Sequence, residues 1–127
     1  DVAYASELTP ELRANAARTV DAVNALLDLF GQDRAVNSGW RPAVVNATTP
    51  GAARTSKHML CLAADLDDPE GDLDEFLFVN GDVEYPYGPL GQLGLWQEHP
   101  SATKGWCHVQ VVPYGSWVPG KRRWFWP

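Results

Sequence analysis

The stretch TPELRANAARTVDAVNALLDLFG, residues 9–31, decides the first and largest element of the fold. Thr9 is a favourable N-cap, Pro10 suits the first helical position and Gly31 suits a C-cap. Between these signals the apolar residues recur at intervals of three and four: Leu12, Ala16, Val20, Val23, Leu27 and Phe30. This spacing predicts one long amphipathic helix whose apolar stripe faces the core.

Beyond this helix the chain changes to short alternating segments and loops. Short strands are predicted at residues 35–39, 61–66, near Leu95, at 106–112 and at 124–126. Loops are predicted over 41–55 and most of 84–105, because turn-forming residues are frequent there. A capping-box-like start at Asp72 predicts a short helix through Val79. The pattern predicts an α+β fold, a single domain over residues 1–127 with the long N-terminal helix packed on a short antiparallel sheet.

Length, charge and hydropathy exclude several classes of protein. A chain of 127 residues has the size of one domain. Its net charge of −6 and pI near 4.8 disfavour a nucleic-acid binder, which needs an excess of cations to neutralise phosphates. No apolar run approaches the roughly 20 residues that span a bilayer, so no integral membrane segment is expected. We expect a monomer.

The chemically informative residues lie in two apolar segments. Asp65 is flanked by alanines and a leucine in a predicted strand, where a carboxylate is costly unless it is paired or bound to a metal. His58 precedes it by seven residues, and His108 lies in a second apolar strand. Two histidines and one carboxylate form a standard catalytic zinc set that leaves the fourth position for water. On spacing alone, the alternative is that Asp65 caps a backbone segment and His108 is a hydrogen-bonded core histidine.

Four motifs, in order, resemble one family of zinc peptidases. They are Ser38-Gly39-Trp40-Arg41, Ser56-x-His58-x-x-x-x-Ala63-x-Asp65, the segment from Gly94 to Pro100, and Trp106-x-His108. They resemble the D-Ala-D-Ala carboxypeptidase family, which includes DD-dipeptidases and phage L-alanyl-D-glutamate endopeptidases and shares its fold with the hedgehog signalling domain. Residues 94–110 resemble a phage or prophage, endolysin-like branch. The resemblance implies one Zn²⁺ ion held by His58, Asp65 and His108.

The same resemblance implies roles for three further residues. Arg41 matches the family arginine that contacts the substrate and steadies the developing oxyanion. Ser56 matches a serine near the metal site that either touches substrate or supports its loop, and Trp106 is predicted to bind substrate. Two positions depart from the family pattern. Cys61 replaces a glycine, so its Cβ is expected to crowd the turn, and Gly105 replaces the catalytic glutamate three residues before the last histidine ligand.

The catalytic base must therefore come from another segment. Glu98 is the favoured candidate, because the loop before His108 can fold back and flanking tryptophans can partly dry it, which raises a carboxyl pKa. His99 is the alternative, since an ordinary histidine pKa already suits proton transfer. A structural role for both is the third alternative. Glu84, in the same predicted loop, is a further candidate, and so are Asp67 and Asp68, which directly follow the ligand strand and are expected to face solvent.

The function implied by the resemblance is hydrolysis of a peptide bond in peptidoglycan stem peptides or cross-bridges. Such an enzyme is expected in the periplasm, outside the cell or in a phage particle. Two other functions stay open. One is a cytoplasmic-type D-Ala-D-Ala dipeptidase, and the other is a non-hydrolytic zinc domain that binds the cell wall or a protein partner.

The two cysteines are predicted to be free, buried thiols. Strand alternation places Cys61 on the same face as Asp65 and points Cys107 away from His108. A disulfide between the two cysteines is therefore not expected.

Overall fold

The computed structural model of the protein describes residues 8–50, 52, 56–81 and 88–127. The helices are α1 (Pro10–Phe30), α2 (Ala43–Thr48), α3 (Asp72–Gly81) and α4 (Pro89–Leu93), with 3₁₀ helices at Lys57–Leu60 and Pro100–Ala102. The strands are β1 (Val36–Ser38), β2 (Ala63–Asp68), β3 (Trp96–Glu98), β4 (Gly105–Gln110) and β5 (Trp124–Phe125). Among the helices of the described ranges, none combines the length and the apolar character needed to cross a membrane.

The five strands form one sheet in the order β1-β2-β4-β3-β5. Antiparallel pairing joins β1 to β2, β2 to β4 and β4 to β3, while β5 lies parallel to β3. The central strands β2 and β4 pair along their whole length, and this register places Asp65 opposite His108. The α+β class and the long N-terminal helix are confirmed, but β5 makes the sheet mixed rather than wholly antiparallel.

Helix α1 has the ends that its sequence predicts. The Thr9 hydroxyl accepts a hydrogen bond from the backbone N–H of Leu12 at 3.2 Å, which satisfies one of the donors left over at a helix start. Pro10 occupies the first turn, and Gly31 ends the helix with φ +86°. A left-handed residue at this position is typical of a glycine C-cap.

The buried face of α1 is rotated from the predicted stripe. Val20, predicted to face the core, is 55% exposed, whereas Thr19, Val23 and Leu26 are buried. The cause is polar. The Thr19 hydroxyl donates a hydrogen bond to the carbonyl oxygen of Cys61 at 2.6 Å, which holds this side of the helix against the segment that precedes β2.

Two segments predicted as loops contain short helices, α2 and α4. They have six and five residues, too few for a helical repeat to be visible in the sequence. The predicted strand over 61–66 also begins later than expected, at Ala63. Cys61 has φ +58° and ends the 3₁₀ helix Lys57–Leu60, so the extended chain starts only after it.

Helix α3 begins as predicted but is capped by a different residue. The carboxylate of Asp68 accepts hydrogen bonds from the backbone N–H groups of Leu73 and Asp74, at 3.0 and 2.9 Å. Asp72, the expected capping residue, is the first helical residue and pairs with Arg34 at 2.9 Å. The end of β2 therefore fixes the start of α3.

The sheet has a core face and an open face. The core face is covered by α1, α3 and α4, and its buried residues include Ala64, Leu66, Cys107 and Val109. Because successive strand residues point to opposite sides, Asp65 and His108 project from the open face. Both cysteines are free and buried, as predicted. Cys107 lies on the core face, but Cys61 precedes β2, so strand alternation does not assign it to a face.

Candidate metal centre

Three potential metal-ligand side chains meet on the open face. His58, Asp65 and His108 each offer one ligand atom, and these atoms lie within 4.8 Å of one another. Asp65 is in the middle: its Oδ1 is 2.7 Å from Nδ1 of His108 and its Oδ2 is 3.2 Å from Nε2 of His58. Within the described residues, this is the one group of three or more such side chains that could hold an ion.

His58 is oriented by the backbone of a neighbouring loop. Its Nδ1 lies 2.7 Å from the carbonyl oxygen of Gly39. Since a carbonyl can only accept, Nδ1 is the protonated nitrogen and the Nε2 lone pair points into the cluster. This Nε2 atom is buried and has no hydrogen-bond partner. A buried nitrogen lone pair that faces a carboxylate oxygen is costly without a cation between them, so the residues present fit a divalent metal.

The charges of the cluster reinforce one another. Burial alone raises the pKa of Asp65, but the hydrogen bond with His108 and the positive charge that the two neighbouring histidines can carry outweigh it and hold that pKa well below its usual range. Burial alone lowers the pKa of His108, but the hydrogen bond and charge of Asp65 outweigh it and raise that pKa. Asp65 is therefore an ionised carboxylate across the working pH range, as a metal ligand must be.

Arg41 approaches the cluster from the loop between β1 and α2. One guanidinium nitrogen lies 3.9 Å from Oδ2 of Asp65, and another donates to Oδ1 of Asn46 at 3.3 Å. The backbone N–H of Arg41 donates to the carbonyl of His58 at 3.0 Å. The structure therefore brings the predicted arginine to the edge of the cluster, within reach of a ligand there.

Glu98 lies on β3, next to the strand of His108. Gln97 pairs with Val109 and points to the core face, where its amide donates to Asp74. By alternation, Glu98 points to the open face, on the side of His108. Burial raises the pKa of Glu98, and the charge of His108 opposes that shift. The structure thus brings Glu98 to the same face as the proposed ligands.

A family model described as Peptidase M15 matches residues 4–83. The chain belongs to the peptidase M15 family. This is the family of D-Ala-D-Ala carboxypeptidase-like zinc peptidases, so the resemblance seen in the sequence is confirmed at family level. No curated protein and no solved structure matches the chain.

The M15 match covers two of the three proposed ligands. His58 and Asp65 lie within it, whereas His108 lies beyond its end. The pairing of β2 with β4 places His108 beside the other two. M15 peptidases are typically zinc-dependent, and two histidine nitrogens with one carboxylate oxygen suit zinc. This chain can therefore hold the metal of its family.

His99, the alternative base, is placed elsewhere. Its ring stacks on Trp126 with centroids 3.8 Å apart and touches Trp124 and Phe78 edge-on. Its Nδ1 atom lies 2.9 Å from Oγ of Ser101. The same side chain accepts a hydrogen bond from the backbone N–H of Ser101 and so caps the 3₁₀ helix Pro100–Ala102. The His99 ring is held among these aromatic side chains and Ser101, so the structure does not bring it to the cluster of His58, Asp65 and His108.

Ser56 and Trp106 lie close to the ligands in sequence and differ in their contacts. The Ser56 hydroxyl accepts a hydrogen bond from the backbone N–H of His58 at 3.2 Å, so it caps the 3₁₀ helix that presents this histidine. Trp106 is half-buried on β4, two residues before His108 and on the same face. Glu84 lies outside the described residues.

Two residues of the open face were missed by the sequence analysis. The amide oxygen of Gln110 lies 2.9 Å from Nε2 of His108. Phe125, on β5, stands edge-on to the His108 ring at 6.1 Å and stacks on Tyr114. Strand alternation from His108 indicates Gln110, but no local signal predicts Phe125, since β5 joins the sheet from a distant part of the chain.

Proposed function

We propose that this M15 family member is a zinc-dependent peptidase that hydrolyses a peptide bond in peptidoglycan stem peptides or cross-bridges. The proposal rests on one observation above all: the buried, unpartnered Nε2 of His58 faces Asp65 in a cluster completed by His108. Family membership supports peptide hydrolysis. The resemblance to phage endopeptidases and carboxypeptidases supports the substrate class.

In this proposal His58, Asp65 and His108 hold the metal. Bound zinc supplies Lewis acidity, which activates water near neutral pH and polarises a carbonyl. Arg41 stabilises the oxygen of the scissile carbonyl as negative charge develops on it, an effect worth about 3 kcal/mol in comparable sites. Ser56 and Trp106 border the peptide, and the cap that Ser56 provides keeps His58 in position.

Glu98 is the proposed general base and acid. It takes a proton from the attacking water and later donates it to the leaving amine. Burial raises the pKa of Glu98, which suits a group that must both accept and release a proton. Glu98 replaces the family glutamate missing at Gly105, because β3 brings it beside the strand of His108.

If the substrate is peptidoglycan, its location indicates where the protein acts. Stem peptides and cross-bridges lie outside the cytoplasmic membrane, so the protein acts in the periplasm, outside the cell or in a phage particle.

The test is digestion of purified sacculi, with the products analysed by mass spectrometry. We expect one defined peptide bond to be cleaved, cleavage to stop when a chelator removes the metal, and cleavage to return when zinc is added back. His108→Ala provides the inactive control. Hydrolysis of free D-Ala-D-Ala but not of sacculi would overturn the proposed substrate in favour of a dipeptidase. Binding to sacculi without any cleavage would overturn the peptidase in favour of a non-hydrolytic zinc domain.

A further inference from the structure

We infer that Gln110 is a positioning residue that determines which ring nitrogen of His108 faces the metal. The inference rests on the metal site of the proposed function and adds a residue to it. Gln110 is the last residue of β4 and is buried, and it lies two positions after His108 on the open face.

The amide of Gln110 is held in one orientation. Its nitrogen donates to the carbonyl oxygen of Val112 at 2.9 Å. A carbonyl oxygen accepts hydrogen bonds and never donates, so the amide nitrogen is fixed on the Val112 side. The amide oxygen of Gln110 must then point the other way, to Nε2 of His108 at 2.9 Å.

This orientation determines the tautomer of a metal-bound His108. The amide oxygen of Gln110 is an acceptor, so Nε2 of His108 must provide the proton. A neutral imidazole has a single N–H, which leaves the lone pair on Nδ1. Nδ1 is the nitrogen that faces Oδ1 of Asp65, at 2.7 Å. The two hydrogen bonds, from Gln110 to Val112 and from His108 to Gln110, thus direct the His108 lone pair into the cluster.

The two histidines turn different ring nitrogens toward the cluster. In His58 the Nδ1–H donates to the main-chain carbonyl of Gly39, which directs Nε2 to the cluster. In His108 the Nε2–H donates to a side-chain amide, which directs Nδ1 to the cluster. The acceptor for His58 belongs to the backbone and cannot be removed by substitution. The acceptor for His108 is a side chain, so its contribution can be measured.

The test compares two replacements of Gln110. Gln110→Met has a similar length but offers no acceptor to Nε2 of His108. Gln110→Glu keeps an acceptor oxygen for Nε2 of His108, while it replaces the donor to Val112 with a second oxygen and adds a negative charge. We expect Gln110→Met to weaken zinc affinity about 10- to 100-fold, the usual range for losing such a support, and Gln110→Glu to stay close to wild type. Affinity is measured by competition with a chromophoric chelator.

A matched control separates positioning from general destabilisation. Gln97 is a buried glutamine on the neighbouring strand, but its amide binds Asp74 on the core face. Gln97→Met should therefore lower thermal stability and leave zinc affinity unchanged. If the role of Gln110 is only structural, Gln110→Met will behave in the same way, and the inference is overturned.

A second measurement uses the wild-type protein and does not depend on any variant folding. In the zinc-loaded protein, ¹⁵N chemical shifts of the histidine rings distinguish the coordinating nitrogen from the protonated one. We expect His108 to coordinate through Nδ1 and to keep a proton on Nε2. Coordination through Nε2 would overturn the inference while leaving the proposed function intact. Failure of the wild-type protein to bind zinc would instead overturn the proposed function, and this inference with it.

Discussion

Cys61 adopts a backbone conformation that glycine favours and other residues avoid. Its φ and ψ are 58° and 27°, and it is the one non-glycine residue with positive φ in the described ranges. The family resemblance places a glycine here, and the structure explains why: the chain must turn sharply between His58 and β2. Cysteine makes the same left-handed turn, at a cost of roughly 1–2 kcal/mol for a residue with a Cβ.

Glycine should therefore be better than alanine at this position. Cys61→Gly and Cys61→Ala both remove the buried thiol, but only alanine keeps the left-handed strain. We expect Cys61→Gly to be more stable than Cys61→Ala by about 1 kcal/mol in urea unfolding. The reverse order is expected at the exposed Ala17 of α1, where Ala17→Gly should cost about 1 kcal/mol. Equal stabilities of the two Cys61 variants would contradict a strained turn.

Glu98 is the residue whose proposed role can be tested by a single exchange of oxygen for nitrogen. Glu98→Gln keeps the shape of the side chain but cannot take a proton from water. We expect kcat to fall by roughly two or more orders of magnitude, with zinc content unchanged. Glu75→Gln, at an exposed position on α3, controls for the lost charge. His99→Ala should retain activity, and the opposite result for Glu98 and His99 would assign the base to the histidine.

At the scale of elements, a buried carboxylate joins α3 to the segments that flank the site. Asp74 is only 2% exposed. Its Oδ1 accepts from the amide of Gln97 on β3 at 2.8 Å, and its Oδ2 accepts from the hydroxyl of Thr103 at 2.6 Å. These bonds fix the core side of β3, so that Glu98 stays on the open face. Burial nevertheless raises the pKa of Asp74, outweighing the donors that favour its ionised form.

Asp74→Asn should accordingly change how stability depends on pH. A carboxyl whose pKa is raised by folding stabilises the native state below its unfolded pKa of about 3.9, and this contribution is lost as pH rises through the folded pKa. The amide of the variant does not titrate and can still bond to Gln97 and Thr103. We expect the stability of Asp74→Asn relative to wild type to increase between about pH 4 and pH 8. Asp28→Asn, on the exposed side of α1, controls for net charge, and a constant difference for Asp74→Asn would contradict the prediction.

The elements that sequence could predict are those with local signals. The ends of α1 follow from Thr9 and Gly31, and β2 and β4 follow from alternating apolar residues. Alternation also predicted that Cys107 faces away from His108. The other features of the fold depend on contacts between residues that are far apart in the sequence. Thr19 is buried in place of Val20 because its hydroxyl reaches a carbonyl beyond the helix.

The candidate site likewise has a part that the sequence predicts and a part that it does not. Its ligand set was predicted from chemistry and resemblance, because a carboxylate in an apolar strand needs a partner. The support for each ligand was not predictable, since the Gly39 carbonyl and the amide of Gln110 gain their meaning only from the orientation of the two rings. The parallel placement of β5, which brings Phe125 to the site, likewise has no signal in the sequence around it.

At the scale of the whole molecule, the proposed ligands tie together three separate parts of the chain. His58 belongs to a 3₁₀ helix, Asp65 to β2 and His108 to β4. The unfolded chain does not hold these side chains together, so any metal that binds them stabilises the native state by mass action. Zinc binding and global stability should therefore be coupled, and pH should modulate the coupling through the protons on the ligands.

We expect zinc to raise the melting temperature of the metal-free protein, and to do so more strongly at higher pH. Free zinc at 100 times its Kd adds about 2.7 kcal/mol, which for a domain of this size is roughly 10 °C. Asp65 raises the pKa of His108, so the metal-free protein gains stability from this protonated pair at low pH and loses it as pH rises through that pKa. Zinc must displace the same proton, so the stability that zinc adds should be small below the raised pKa of His108 and should level off above it.

Calorimetry with and without zinc at several pH values measures this added stability. His108→Ala should abolish the increment, whereas His99→Ala should keep it, because His99 stacks on Trp126 outside the cluster. An increment that persists in His108→Ala would place the zinc elsewhere in the protein.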